Sequence, residues 1–437
     1  MSLTPEGYVP RLLQDKLAFY LQTFGAVEVR GPKWCGKTWL SLSQAGSVVH
    51  LDDADVRRAV EVNHALALAG EAPHLIDEWQ EVPDIWDDVR RAVDASGSAA
   101  GTFILTGSSR PSGKEQARHS GAGRIARLNL QPMSLYELGL SDGSASLSAL
   151  LKGEGISDKP VQTSLGTIAH AICQGGWPGA IGRSERAARI IPTQYIEALC
   201  DPSARLKEEG IQPDVLRRVL VALARNEGGS PSMATLSADV SMGEGGDAGT
   251  DASAPSAQIL ERYLSYLREQ YLVRDLRGWD APVRARARVR SRPKRYLVDP
   301  SLSAALLGFD EERLQWDAQA FGLMFESLCM RDIATYLEAS TDLPTPSMYY
   351  YRDSYGLEVD CIVELADGTW AGIEMKLSAS KEDQAANSLL RLRDKVRANP
   401  AARNPEPAFL AVLVGDAPFM YRRADGVDVI PITCLGA

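Results

Sequence analysis

An α/β fold, built on a parallel sheet that carries a phosphate-binding loop, is what this 437-residue sequence predicts. Three observations predict it. The stretch Gly31-Pro32-Lys33-Trp34-Cys35-Gly36-Lys37-Thr38 directly follows the apolar run Ala26-Val27-Glu28-Val29. His74-Leu75-Ile76 ends at Asp77-Glu78, and Thr102-Phe103-Ile104-Leu105-Thr106 runs out into Gly107-Ser108-Ser109. Each is a short apolar run that stops at a polar turn, the grammar of strands in an α/β sheet.

The first stretch is a P-loop. Its two glycines let the backbone turn tightly enough for successive N–H groups to face a nucleotide's phosphates, and the helix that follows adds its positive N-terminal end. Lys37 is then placed to reach the β/γ-phosphates, and the Thr38 hydroxyl to ligate Mg²⁺. Trp39-Leu40-Ser41-Leu42 continues as an amphipathic segment, so residues 31 to 39, through Trp39, form the expected ATP site. Asp77 is expected to hold Mg²⁺ through its waters, and Glu78 to polarise the attacking water as general base.

In P-loop ATPases that insert a strand between the P-loop strand and the acidic one, the inserted strand ends with a polar side chain near the γ-phosphate. Ser108 is the candidate for that sensor, with Thr106 close behind, although any strand-to-turn exit has the same composition. Gly121-Ala122-Gly123-Arg124-Ile125-Ala126-Arg127-Leu128 reads as a fifth strand. Two readings of Arg124 and Arg127 stand side by side: an arginine finger reaching the γ-phosphate of a neighbouring copy in a homo-oligomer, or solvated residues of a sheet edge.

These residues carry a resemblance. GPKWCGKT, HLIDEWQ, FILTGSS, GAGRIARL and QPMSLYELG together resemble the bacterial and archaeal AAA-type ATPases that carry a C-terminal DUF4143 domain, and the likeness covers most of the chain. It implies an ATP-binding core of AAA (ASCE) type with Mg²⁺ as its metal.

Composition bounds the rest. A chain of this length holds two to four domains, and 45% apolar with 24% charged residues is ordinary for a soluble globular protein. The net charge of −10 repels nucleic acid and anionic membranes, so a nucleic-acid partner requires a local basic patch. Six scattered cysteines form no C-x-x-C pair, which argues for reduced thiols and against a zinc site. Without a leader-like start or eighteen consecutive apolar residues, the expectation is a cytoplasmic protein with no membrane partner.

The P-loop core is expected over 1–140 and a helical lid over 141–208. The lid begins with a Ser/Gly-rich linker at 141–148, and its Gly175-Gly176-Trp177-Pro178-Gly179 turn is expected to pack on the nucleotide domain. A winged-helix-like module is expected over 209–300, with helical patterns through Val219–Leu223, Leu236–Val240 and Ile259–Leu267 followed by a strand at Tyr271–Leu276. Its wing is the basic run Arg284-Ala285-Arg286-Ala287-Arg288-Val289-Arg290-Ser291-Arg292-Pro293-Lys294-Arg295. On a strand, Arg284, Arg286, Arg288, Arg290 and Arg292 share one face at about 7 Å intervals, close to the phosphate repeat of DNA. The alternatives are a solvated loop, or an anchor for an acidic domain of the same chain.

The last domain, 301–437, offers a helix with Glu326, a strand with Asp360 and a strand with Glu374-x-Lys376. This arrangement resembles the PD-(D/E)xK nuclease core of restriction-endonuclease-like α/β domains. The resemblance implies that Asp360 and Glu374 ligate Mg²⁺, that Lys376 activates the hydrolytic water and that Glu326 supports them. Strand parity sets a condition: a two-residue turn at Asp367-Gly368 would put Asp360 opposite Met375, on the wrong face, whereas a three-residue turn or bulge assembles the site. The odd register is expected. The whole then reads as a Mg²⁺-dependent ATPase coupled to DNA binding or processing; the alternatives are a nucleotide-controlled switch whose nuclease-like domain only binds, or a regulator whose wing docks on protein.

Overall fold

The computed structural model describes residues 3–109, 121–202, 206, 209–242, 254–279, 292–400 and 402–437. These form two compact units, one built on Met1–Pro132 with the short segments Leu267–Leu272 and Glu338–Thr341, the other on the remainder.

In the first unit five parallel strands are β1 (Ala26–Arg30), β2 (Ser47–His50), β3 (His74–Asp77), β4 (Phe103–Gly107) and β5 (Ile125–Asn129), in the order β2-β3-β4-β1-β5. β4 lies between the P-loop strand and the acidic strand, the inserted position expected for Thr102–Thr106. Parallel strands covered on both faces must be apolar on both, and β3 and β4 are buried at every position. Alternate residues serve different layers. Val27, Val29, Leu75 and Ile104 pack with Leu13, Leu17 and Leu21, which recur every fourth residue on helix α1 (Leu13–Leu21), whereas Ala26, Ile76 and Leu105 pack with Trp86, Val89 and Val93 from the opposite side. Asp77 closes β3 as a buried acid, and a second buried acid lies inside β1. Glu28 is buried because Arg127 Nε meets its carboxylate at 3.2 Å and Trp79 Nε1 at 3.3 Å.

The second unit mixes helices with a seven-stranded sheet in the order 346–352, 358–365, 370–378, 410–416, 428–431, 419–422, 159–160. Helix Glu382–Arg397 covers one face, setting Ala385, Leu389, Leu392 and Val396 against Ile362, Trp370, Val412 and Val429. Helices Pro213–Arg225, Met233–Ser241 and Ala257–Glu269 are followed by the antiparallel pair Val273–Leu276 and Lys294–Leu297, the order expected of the middle module.

Two expectations change here. Residues 141–148 are no loose linker, because Ala145–Ser146 pairs in parallel with Leu435–Gly436 and Ser141 Oγ donates to Leu435 O at 2.6 Å. A two-residue strand whose partner lies 290 positions away in the chain leaves no periodicity to read. Likewise Lys159–Pro160, expected within a lid, pairs with Phe419–Met420 as the edge of the C-terminal sheet. The turn at Gly175–Gly179 is held by Asp299 and Ser301, through Gly176 N–H at 2.9 Å and the Trp177 indole N–H at 2.9 Å. Asp299 in turn accepts from the buried Arg331 guanidinium at 3.0 Å, and Arg331 also binds Asp332 at 2.8 Å.

Candidate functional site

The P-loop leaves β1 through Gly31, where an added Cβ would stand 2.1 Å from Leu130 O, and closes at Gly36, whose φ of 98° favours glycine. Trp34 between them is also left-handed, at φ 63°, a conformation non-glycine residues adopt at a cost. Arg11, buried, braces the loop by donating to Cys35 O at 2.6 Å and to Gln131 O at 2.8 Å. Lys37 is buried and its Nζ donates to Pro32 O at 2.9 Å, so its ammonium lies inside the loop it belongs to. Trp34 and Trp39 are roughly half exposed beside it.

The acidic strand end is tied to that loop. Thr38 Oγ1 donates to Asp77 Oδ1 at 3.0 Å, and Asp77 Oδ2 meets His50 Nδ1 at 3.1 Å. Thr106, from the inserted strand, donates its hydroxyl to Asp77 Oδ1 while accepting the Glu78 N–H at 3.0 Å. Glu78 is left-handed at φ 54°, and its carboxylate accepts from Ser108 Oγ at 2.7 Å and from Gln80 Nε2. Thus Ser108 touches the proposed base. A hydroxyl beside a carboxylate is a pair of hard oxygen donors of the kind that suits Mg²⁺, so Thr38 and Asp77 fit the ion the P-loop implies.

Arg124 stands elsewhere. It precedes β5, level with the start of β1, and its Nε binds Asp94 at 2.8 Å, at the opposite end of the sheet from the loop that leaves β1. Arg127 binds Glu28 and lies 5.1 Å over the Trp86 ring. Within the chain the contacts of Arg124, to Asp94 and Ala122 O, lie away from the P-loop. Arg11, His50 and Gln80 were not singled out from the sequence, because each acts through partners that lie apart from it in the chain or across a turn.

The second cluster forms on the hairpin of the C-terminal sheet. Its loop has three residues, Ala366-Asp367-Gly368, closed by Leu365 N–H to Thr369 O at 2.8 Å. Cys361 pairs with Ile373, and that register carried one residue further sets Asp360 level with Glu374. The odd register holds. Lys376 Nζ donates to Glu374 Oε2 at 2.6 Å and to Asp360 Oδ2 at 3.1 Å. Burial works against the Asp360 charge, but the Lys376 and Lys294 ammoniums outweigh it and hold its pKa down to about 2. Burial and the neighbouring Asp360 charge together push Glu374 well above the usual carboxylate range.

Glu326 reaches the same cluster and accepts from Tyr296 OH at 2.6 Å and Lys294 Nζ at 3.1 Å. Lys294 and Arg295, the tail of the basic run, are therefore buried rather than displayed, Arg295 binding Asp275 at 3.1 Å. Arg284, Arg286, Arg288 and Arg290 lie outside the described residues; Arg292 is exposed.

Residues 23–139 match the family model of an AAA domain, and residues 321–435 that of a domain of unknown function, DUF4143. The chain carries an AAA domain and a C-terminal DUF4143 domain. Residues 166–313 match another domain of unknown function, DUF8612. No curated protein matches the chain. Among solved structures it is similar to the Walker-type ATPase of Pyrococcus abyssi, at 12% identity over 70% of this chain and 97% of that one, with a TM-score of 0.41. It is also similar to the Thermotoga maritima RuvB Holliday junction branch migration motor, at 15% identity over 63% of this chain and 93% of that one, TM-score 0.29. The AAA domain holds the P-loop cluster, and the DUF4143 domain holds Glu326, Asp360, Glu374 and Lys376.

Proposed function

We propose that the chain is a Mg²⁺-dependent ATPase whose nucleotide state governs how its second unit engages DNA. The observation that carries the reading is the single Thr106 hydroxyl joining Asp77 to the backbone of Glu78, while Thr38 joins Asp77 to the P-loop. These contacts fix the metal-binding acid and the proposed base relative to the phosphate loop before substrate arrives, which is the preorganisation that phosphoryl transfer exploits. The loop amides and Lys37 bind the phosphates, and Thr38 and Asp77 hold Mg²⁺. Held there, Mg²⁺ would supply positive charge that neutralises the phosphates. Glu78 orients the water and takes its proton, and Ser108 keeps the Glu78 carboxylate aimed. Replacing Glu78 with Gln is expected to lower turnover by about 10²-fold or more while ATP still binds; turnover equal to the parent contradicts the assignment.

Engagement of DNA is supported by the arginine run, whose two flanks are anchored in the second unit. Trp279 N–H donates to Tyr350 O at 2.6 Å on one side, and Lys294 is buried on the other. Binding that weakens steeply with salt and changes on adding ATP is the expected result, and salt-insensitive absence of binding contradicts it. A second reading, metal-dependent phosphodiester hydrolysis, is favoured by the convergence of Asp360, Glu374 and Lys376 on one hairpin.

A further inference from the structure

The nuclease resemblance implies a divalent ion on Asp360 and Glu374, and the donor set does not fit one. Both Asp360 oxygens already meet ammonium groups: Oδ2 meets Lys376 at 3.1 Å and Oδ1 meets Lys294 at 3.5 Å. Lys294 Nζ also stands 3.1 Å from Glu326 Oε1 and 3.1 Å from Glu358 Oε1, and 5.8 Å over the Tyr350 ring. An ammonium has three protons, and here it faces three carboxylates from a helix and a strand. Its side chain is only 7% exposed, so it is not a wandering surface lysine that happens to lie nearby. The strand that bears it is fixed in register, Lys294 opposite Leu276 and Tyr296 opposite Arg274, which aims Lys294 and Tyr296 together at Glu326.

We propose that Lys294 is a tethered cation that takes the Asp360–Glu326 side of the divalent-ion position in the C-terminal centre, with Lys376 on its Asp360–Glu374 side, and keeps that centre closed. It supplies the positive charge that a metal would supply to Asp360, Glu326 and Glu358, so the resting chain neither needs nor admits the metal. Cleavage, if the hairpin centre performs it, requires Lys294 to leave. The inference rests on reading Asp360, Glu374 and Lys376 as a nuclease-like centre, and it gives the regulation of that centre. It is independent of ATP turnover.

The test is Mn²⁺ binding to the full chain without nucleotide, followed by calorimetry and by electron paramagnetic resonance, with Asp360→Asn defining the background from other sites. The parent chain is expected to show no Mn²⁺ site sensitive to Asp360→Asn. Lys294→Ala, and Lys294→Gln as a milder change, are expected to gain one such site, tighter than anything at this centre in the parent by on the order of a hundredfold, because a like charge has been removed from contact distance. A parent chain that already binds Mn²⁺ through Asp360 overturns the proposal, and that titration needs no variant to fold. Folded Lys294 variants that gain no site overturn it as well. A Lys294 variant that binds Mn²⁺ yet leaves DNA uncut sustains the proposal and removes the phosphodiesterase reading alone.

Discussion

The Thr38 hydroxyl lies 3.0 Å from Asp77 Oδ1, joining the first turn after the P-loop to the end of a strand 39 residues later. A parallel sheet makes this meeting possible, because strands that run the same way release their loops on the same edge. β3 and β1 are separated only by β4, so the hydroxyls of Thr106 and Ser108 fall between the two halves of the site.

Thr106→Val keeps the shape and removes both hydrogen bonds, one to the Asp77 carboxylate and one from the Glu78 N–H. Turnover is expected to fall by roughly 10- to 100-fold, with ATP affinity changed by much less, since the loop and Lys37 are untouched. Steady-state kinetics beside equilibrium nucleotide binding separates the two effects.

Arg11→Ala deletes two hydrogen bonds from a guanidinium to P-loop-side carbonyls and leaves Cys35 O and Gln131 O without that donor. Charge-assisted bonds of this kind contribute about 1.5–3 kcal/mol each, so a loss of about 3–6 kcal/mol of stability is expected, together with weaker ATP binding. Denaturant unfolding and nucleotide titration check it; a variant as stable as the parent contradicts the bracing role.

How much of this was legible in the sequence depends on how local each signal is. The P-loop, Asp77-Glu78 and the exit at Ser108 are written in contiguous residues, and the strand order follows from where a parallel sheet puts them. The register of the Asp360 hairpin was legible too, because only an odd count of loop residues brings Asp360 level with Glu374. Lys294 was not. It sits at the end of an arginine-rich run whose composition signals a solvated or nucleic-acid-facing face, and its burial depends on Glu326, Glu358 and Asp360, which lie 32 to 66 residues further on. Arg124 read equally as a finger toward a neighbouring copy or as a solvated edge residue, because strand position alone does not say what the side chain meets; within the chain it meets Asp94.

Glu227 gives a prediction in pH. It accepts from Leu297 N–H at 3.0 Å, from Ser327 Oγ at 2.8 Å and from Ser303 Oγ. Burial pushes it up to about 8, against those hydrogen bonds and with help from Glu326. A carboxyl whose folded pKa exceeds its unfolded value stabilises fully below the unfolded pKa, near 4.5, and that contribution is lost as pH rises through about 8. Glu227→Gln keeps a neutral group there at every pH. The variant is expected to match the parent near pH 5 and to exceed its stability above pH 8 by on the order of a few kcal/mol, read from unfolding midpoints across pH.

The most direct measurement of the central claim is equilibrium ATP binding in Mg²⁺, with Lys37→Ala beside the parent. The P-loop reading predicts saturable binding by the parent and loss of at least about 100-fold in affinity in the variant, since Lys37 supplies the positive charge inside the loop. Absence of ATP binding by the parent, or a Lys37→Ala variant that binds as the parent does, contradicts it.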